Sequence, residues 1–144
     1  MRNKFAFLVT GISLSVLFWI FNVEIYELPY YSQGFTNSLW NNGVYNVIAA
    51  ITLAMGWAGA AVYYYVINSA AFDRWWHWLA IMAVTVVLTP IVCYMVMSAM
   101  LAGKDYGQEL VQFGMYNLAV TAVAYVVASF AMKWWSSNCR HSPF

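Results

Sequence analysis

Apolar residues dominate four long stretches of the chain, and shorter polar segments separate them. The stretches cover residues 5–23, 44–67, 78–101 and 114–132, and none contains Lys, Arg, Asp, Glu or His. A bilayer core about 30 Å thick requires about 20 mainly apolar residues in a helix that crosses it. The pattern therefore predicts an all-α, integral membrane four-helix bundle, with residues 1–144 forming a single transmembrane domain.

The composition supports a membrane protein over a soluble one. The chain is 64% hydrophobic, and its charged residues make up 8%, whereas soluble domains average about 25%. The aromatic share of 19% suits the headgroup level of a bilayer, where amphipathic rings concentrate. A net charge of +1 is too small an excess of positive charge to indicate binding to nucleic acid. The predicted partners are the lipid bilayer and other membrane subunits, and no nucleic acid.

The positive charges are distributed unequally between the two faces that four spans create. Five of the six cations precede the first span, connect the second to the third, or follow the fourth: Arg2, Lys4, Arg74, Lys133 and Arg140. The opposite face carries Lys104 alone. Because cytoplasmic loops carry an excess of Lys and Arg, both termini are predicted in the cytoplasm. The expected location is a bacterial inner (cytoplasmic) membrane, with the chain crossing it several times.

The longest connection, residues 24–43, is rich in aromatic residues. Pro29 prevents simple continuation of the first helix. Phe35 and Leu39 are four residues apart, a spacing that predicts a short helix lying on the membrane interface. The aromatic residues of this loop are expected to remain near that interface, either as a simple anchor or as a cap or docking surface.

A second aromatic segment lies between the second and third spans, and a third follows the fourth span. Tryptophan rings favour the membrane–water interface, so we predict interfacial or partner contacts at Trp40, Asp73, Arg74, Trp75, Trp76, His77, Trp78, Trp134 and Trp135. His77 has no Cys, His or Glu neighbour at a metal-ligand spacing. The segment therefore predicts an anchor or a partner surface, and no metal site.

Small residues recur at helical spacing in three of the predicted spans. In lipid, such small-xxx-small surfaces allow helices to approach closely and gain van der Waals contact. The predicted packing seam consists of Gly11, Ser15, Ala50, Ala54, Gly56, Ala58, Gly59, Ala60, Ala124 and Ala128. The pattern does not distinguish packing inside one bundle from packing against a neighbouring subunit.

Uncharged polar residues also recur within the predicted helices. They are Ser15, Asn22, Thr52, Thr85, Thr89, Asn117 and Thr121. Two interpretations are open: their hydrogen bonds join helices of one bundle, or their faces line a narrow pore in an oligomer.

The spans offer little material for catalysis. Their only ionisable groups are Cys93 and tyrosine hydroxyls, whereas an enzyme requires a nucleophile, an acid–base pair, a metal or a cofactor ligand. Cys93 and Cys139 are expected at different membrane depths, so no disulfide between them is predicted. No catalytic, cofactor-binding or metal-binding residue is predicted, and no cofactor.

The sequence thus favours a non-enzymatic small membrane protein, a structural or anchoring subunit of a homo-oligomer or a larger membrane assembly. Bacterial secretion, injection and defence machineries contain such subunits, and the comparison with them is an analogy alone. The first alternative is an oligomeric channel or membrane-disrupting pore lined by Thr, Ser and Asn. The second is a small transporter, for which the spans lack the ionisable group that ion coupling normally requires.

Overall fold

The computed structural model describes residues 2–29, 31–67 and 74–136, and within them the chain is all-α. The six α-helices are α1 (Arg2–Ile20), α2 (Asn22–Glu27), α3 (Gln33–Asn41), α4 (Val44–Ala61), α5 (Trp75–Met100) and α6 (Gly107–Met132). A π-helical turn at Val62–Val66 continues α4, and a 3-10 turn at Lys133–Trp135 follows α6. The predicted contact residue Asp73 lies outside the described residues, as do Cys139 and Arg140.

Four helices in the described part of the chain are long and apolar enough to cross a membrane. They cover Asn3–Ile20, Val44–Val66, Trp75–Met100 and Gly107–Trp135. This confirms the prediction of an all-α chain with four candidate spans, and it indicates a multi-pass integral membrane protein.

Two of these helices begin before the predicted spans. Helix α6 starts at Gly107 and α5 at Trp75, against predicted starts at residues 114 and 78. Residues 107–113 include Gln108 and Glu109, which have low hydropathy but good helix propensity. Hydropathy marks the part of a helix that suits lipid, so it misses a polar first turn.

Helix α6 packs against α1, α4 and α5. The long helices alternate in direction, since Tyr65 after α4 and Trp78 near the start of α5 bond to Met132 and Ser129 near the end of α6. Near one end of the bundle the Phe5 and Trp135 rings meet edge to face, with centroids 5.2 Å apart. Near the other end the Tyr106 hydroxyl donates to the Gly34 carbonyl over 3.2 Å. We call the first the terminal end and the second the α3 end.

Helix α1 does not continue smoothly to residue 23, the predicted end of the first span. Phe21 interrupts it with φ −100° and ψ 22°, and a second helix, α2, begins at Asn22. This places Tyr26 against the bundle, where 2% of the side chain is exposed. The first span therefore ends earlier than predicted, and the chain after it contributes to the core.

A short helix forms within residues 24–43, as the spacing of Phe35 and Leu39 predicts. In α3 both side chains are buried, while Trp40 remains 64% exposed. Gly43 then joins α3 to α4 with φ 64°, a left-handed conformation that favours glycine. Helix α3 is thus a cap packed on the bundle, and its position relative to a membrane surface remains a prediction.

Candidate functional site

The closest helix contacts in the bundle occur at glycines. A Cβ atom built on Gly56 would lie 3.0 Å from the Ala124 Cβ atom and 3.1 Å from the Ala124 carbonyl carbon. A Cβ on Gly11 would lie 2.6 Å from the Ala131 Cβ atom. Glycine at these positions lets α4 and α1 approach α6 more closely than any other residue would allow.

Gly59 performs the same role between α4 and α5. A Cβ atom there would clash with the Thr85 side chain. Two further small residues of the predicted seam, Ala60 and Ala128, are fully buried, while Ala50 and Ala124 are half-buried. These residues contribute to packing within one copy of the chain.

Ser15 joins α1 to α4 in a different way. Its hydroxyl donates to the Gly11 carbonyl over 2.9 Å, and it accepts a hydrogen bond from Trp57 Nε1 at 3.0 Å. The Ser15 hydroxyl therefore has both a donor and an acceptor partner within the bundle.

Two members of the predicted seam have a different environment. Ala54 and Ala58 lie one turn apart on α4, and both are exposed. Gly56 and Thr52, on the opposite side of the helical wheel, are buried. In a single copy of the chain, Ala54 and Ala58 therefore present a smooth surface to the surroundings.

Hydrogen bonds between neutral side chains connect three helices with α2 near the α3 end. The Tyr26 hydroxyl donates to Asn117 Oδ1 over 2.9 Å, and Thr52 Oγ1 donates to the same oxygen over 3.2 Å. Asn117 Nδ2 donates to Cys93 Sγ over 3.3 Å. We call these four residues the polar core: Tyr26, Thr52, Cys93 and Asn117.

All members of the polar core are buried, and Asn117, Thr52 and Cys93 are fully so. Burial raises the pKa of Tyr26 above the ordinary tyrosine value, because removal from water disfavours the phenolate. A tyrosine hydroxyl is protonated at neutral pH, and here it donates to Asn117. The arrangement provides neutral hydrogen bonding among helices.

The remaining polar residues of the predicted face also form hydrogen bonds within the chain. Thr85, Thr89 and Thr121 are buried, and each donates to the carbonyl four residues earlier in its own helix. Asn22 Nδ2 donates to the Trp19 carbonyl and to Asn46 Oδ1. Since this face is directed into one bundle, a pore lined by it would require the helices of each copy to part.

The predicted interfacial residues separate into exposed and buried groups. Arg74, Trp75, Trp76 and Trp135 are exposed at the terminal end. The Arg74 backbone N–H donates to His77 Nδ1 over 3.4 Å at the start of α5.

Trp78 lies in the core of the bundle, and its predicted depth at the membrane interface stays a prediction. It is 3% exposed, and its Nε1 donates to Ser129 Oγ over 3.1 Å. Because α5 begins at Trp75, Trp78 stands one turn into the helix and on its inner face. Predicting this would have required the true start of α5.

Aromatic stacking at the terminal end fastens α1 to α6. The Phe7 ring stacks on Trp134 with centroids 5.2 Å apart and meets Phe130 edge to face at 4.8 Å. Lys133 Nζ lies 4.4 Å from the Trp134 ring centroid, within the range of cation–π attraction. Trp134 and Lys133 thus contribute to packing within the chain.

The described residues offer few groups for chemistry other than hydrogen bonding. Among residues 2–29, 31–67 and 74–136, no cluster of three or more His, Cys, Asp or Glu side chains could hold a metal ion. Tyr26 and Cys93 are the polar-core members that sequence reasoning missed.

In comparisons with known proteins, the chain matches no family model, no curated protein and no solved structure.

Proposed function

We propose that this protein is a non-catalytic membrane subunit that associates, through α4, with copies of itself or with other membrane proteins. The observation that carries this proposal is the exposed alanine stripe, Ala54 and Ala58. The glycines of α4 take part in packing inside the bundle, whereas these two alanines are exposed in the described part of the chain.

A smooth alanine surface is an effective helix-docking surface in lipid. Between helices in a bilayer there is little hydrophobic driving force, so close backbone approach and van der Waals packing provide much of the association energy. Helix α4 has half-buried Ala50 one turn before the stripe, which extends the low profile. The polar groups of the described core supply interhelical hydrogen bonds, and this use supports a structural role over a catalytic or pore-lining one.

The first test substitutes a larger apolar side chain into the stripe. We expect Ala58→Leu to shift the native complex to the mass of a single copy, because the longer side chain prevents close approach of the partner helix. The measurement is native mass after gentle extraction, by blue native electrophoresis. Val87→Leu on α5 is the matched control, since Val87 is 54% exposed and lies outside the stripe.

Two results would count against the proposal. One is a wild-type protein that runs as a single copy without co-purified partners. The other is an Ala58→Leu complex of unchanged mass. In a background without the native Cys93 and Cys139, disulfide crosslinking of Ala58→Cys then separates the two kinds of assembly, because only a homo-oligomer paired through α4 gives a dimer of this chain.

We also propose that the terminal end is cytoplasmic and the α3 end extracytoplasmic. Support comes from the five cations against one described above. In a background without the native cysteines, a membrane-impermeant maleimide applied to spheroplasts should label Ala102→Cys and leave Asn3→Cys unlabelled. Both positions are exposed, at opposite ends of the bundle. Labelling of Asn3→Cys alone would reverse the orientation.

A further inference from the structure

A cavity of ≈ 290 Å³ lies at the α3 end, between α2, α3, α4 and α6. Its lining consists of Tyr26, Pro29, Phe35, Thr36, Leu39, Tyr45, Gln112, Phe113 and Tyr116. Pockets for small-molecule ligands typically measure about 300–1,000 Å³. This cavity stands at the lower limit, so its size suits a compact ligand of few heavy atoms.

Five of the nine lining residues are aromatic, and their rings hold one another in place. Tyr26 and Phe113 stack with centroids 4.8 Å apart, and Tyr45 lies nearly parallel to Tyr26 at 6.4 Å. Phe35 and Tyr116 meet this stack edge to face. A cluster of aromatic rings around a small volume attracts cations through the ring quadrupoles, and quaternary ammonium ligands are bound in this way.

The charge beside the cavity has the sign that a cation requires. The Tyr45 hydroxyl, on the cavity wall, donates to Glu27 Oε1 over 3.4 Å. The residues of this end include three further acids, Glu24, Asp105 and Glu109, against one cation, Lys104. Lys104 is not part of the lining, and its Nζ donates to Ser38 Oγ over 3.0 Å.

The other polar groups of the lining are neutral. Thr36 is buried and Gln112 is exposed, and both carry oxygen atoms that can accept hydrogen bonds. A bound anion would be repelled by Glu27. A hard metal ion would require several oxygen ligands, usually with carboxylates among them. None of the nine lining residues is a carboxylate.

We propose that this cavity binds a small organic ammonium group of the choline type, either as a free molecule or as the headgroup of a lipid. The aromatic walls attract the alkylated nitrogen, and the Glu27 carboxylate balances its charge. This inference goes beyond the proposed structural role and does not depend on it.

The experiment uses the full-length protein in nanodiscs of phosphatidylglycerol, titrated with choline by calorimetry. The comparison ligand is the neutral isostere of choline, in which a tert-butyl group replaces the trimethylammonium group. We expect choline to bind about tenfold more tightly than the isostere, the size of effect given by a desolvated cation–π contact. Equal affinities, or no binding of choline, would overturn the proposal.

Substitutions then test the two parts of the site. Glu27→Gln should weaken choline binding by about tenfold and leave the isostere unaffected, while Glu24→Gln, an exposed acid on the same helix, should change neither. Phe113→Leu keeps an apolar wall and removes a ring, so it should reduce the preference for choline. If Phe113→Leu fails to fold, Glu27→Gln decides alone, because Glu27 is only half-buried. Unchanged choline binding in Glu27→Gln contradicts the site.

A final arm distinguishes the two sources of the ligand. Nanodiscs of phosphatidylcholine offer the same headgroup at high local concentration. Loss of choline binding in those nanodiscs assigns the cavity to a lipid headgroup, and undiminished binding assigns it to a free molecule. Either result is compatible only with a site that recognises the ammonium group.

Discussion

Replacing Gly56 with leucine is expected to destabilise the folded bundle by at least about 3 kcal/mol, the upper part of the usual range for overpacking. Even the first added carbon would lie 3.0–3.2 Å from atoms of Ala124 and Tyr125, two of which belong to the α6 backbone. Backbone atoms in a helix cannot rotate away, so α4 and α6 would have to separate. The measurement is thermal unfolding of the purified protein in detergent, followed by circular dichroism.

The matched control for this substitution lies on the same helix. Ala54→Leu adds a side chain of the same kind to an exposed position, where substitutions usually change stability by less than about 0.5 kcal/mol. Both variants should be measured as single copies, so that assembly does not contribute. Equal unfolding temperatures for Gly56→Leu and Ala54→Leu would mean that α4 does not contact α6 through Gly56.

Replacing Asn117 with leucine is expected to cost about 2 kcal/mol of folding free energy, because three interhelical hydrogen bonds are lost at about 0.6 kcal/mol each. Leucine resembles asparagine in size, so the effect arises from hydrogen bonding more than from an empty space. Tyr26 and Thr52 would retain each other as partners, since their hydroxyl oxygens lie 3.2 Å apart. Unfolding in detergent again provides the measurement.

A double-mutant cycle isolates the contact between α2 and α6. Because Tyr26→Phe removes a bond that Asn117→Leu also removes, the double variant should lose less stability than the two single variants together. Thr121→Val is the control, since Thr121 donates only to the Asn117 carbonyl within α6. Strict additivity of Tyr26→Phe and Asn117→Leu would show that the two side chains are not coupled.

Hydropathy predicts the four candidate spans because lipid solubility is a property of each segment by itself. It does not predict which face of α4 turns inward. Apart from Asn46 and Thr52, small or apolar residues occupy that helix on every side, from Ala50 and Ala54 to Gly56 and Gly59. Because these two polar residues alone do not fix its orientation, the rotation of α4 depends on its fit against α5 and α6, which a single sequence does not display.

The position of Tyr26 is also hard to predict from the sequence. The aromatic loop suggests the membrane interface, whereas the structure places the Tyr26 hydroxyl in the polar core. A tyrosine ring is stable both at the headgroup level and in a core where its hydroxyl has a partner. The deciding feature is that α2 follows the interruption at Phe21 and packs Tyr26 against Thr52 and Asn117. Neither glycine nor proline marks that position, so the sequence pattern contains no signal for it. Asn117, by contrast, was recognised because an amide in a lipid-facing position is costly.

The unequal lengths of the helices have a consequence for the membrane that this protein suits. The candidate span of α1 has 18 residues and that of α5 has 26, which correspond to roughly 27 Å and 39 Å at 1.5 Å per residue. In a hydrocarbon layer about 30 Å thick, an upright α1 barely reaches both surfaces, whereas α5 must tilt or project into the headgroups. Bilayer thickness therefore acts on this protein first through α1, the helix that is least enclosed by its neighbours.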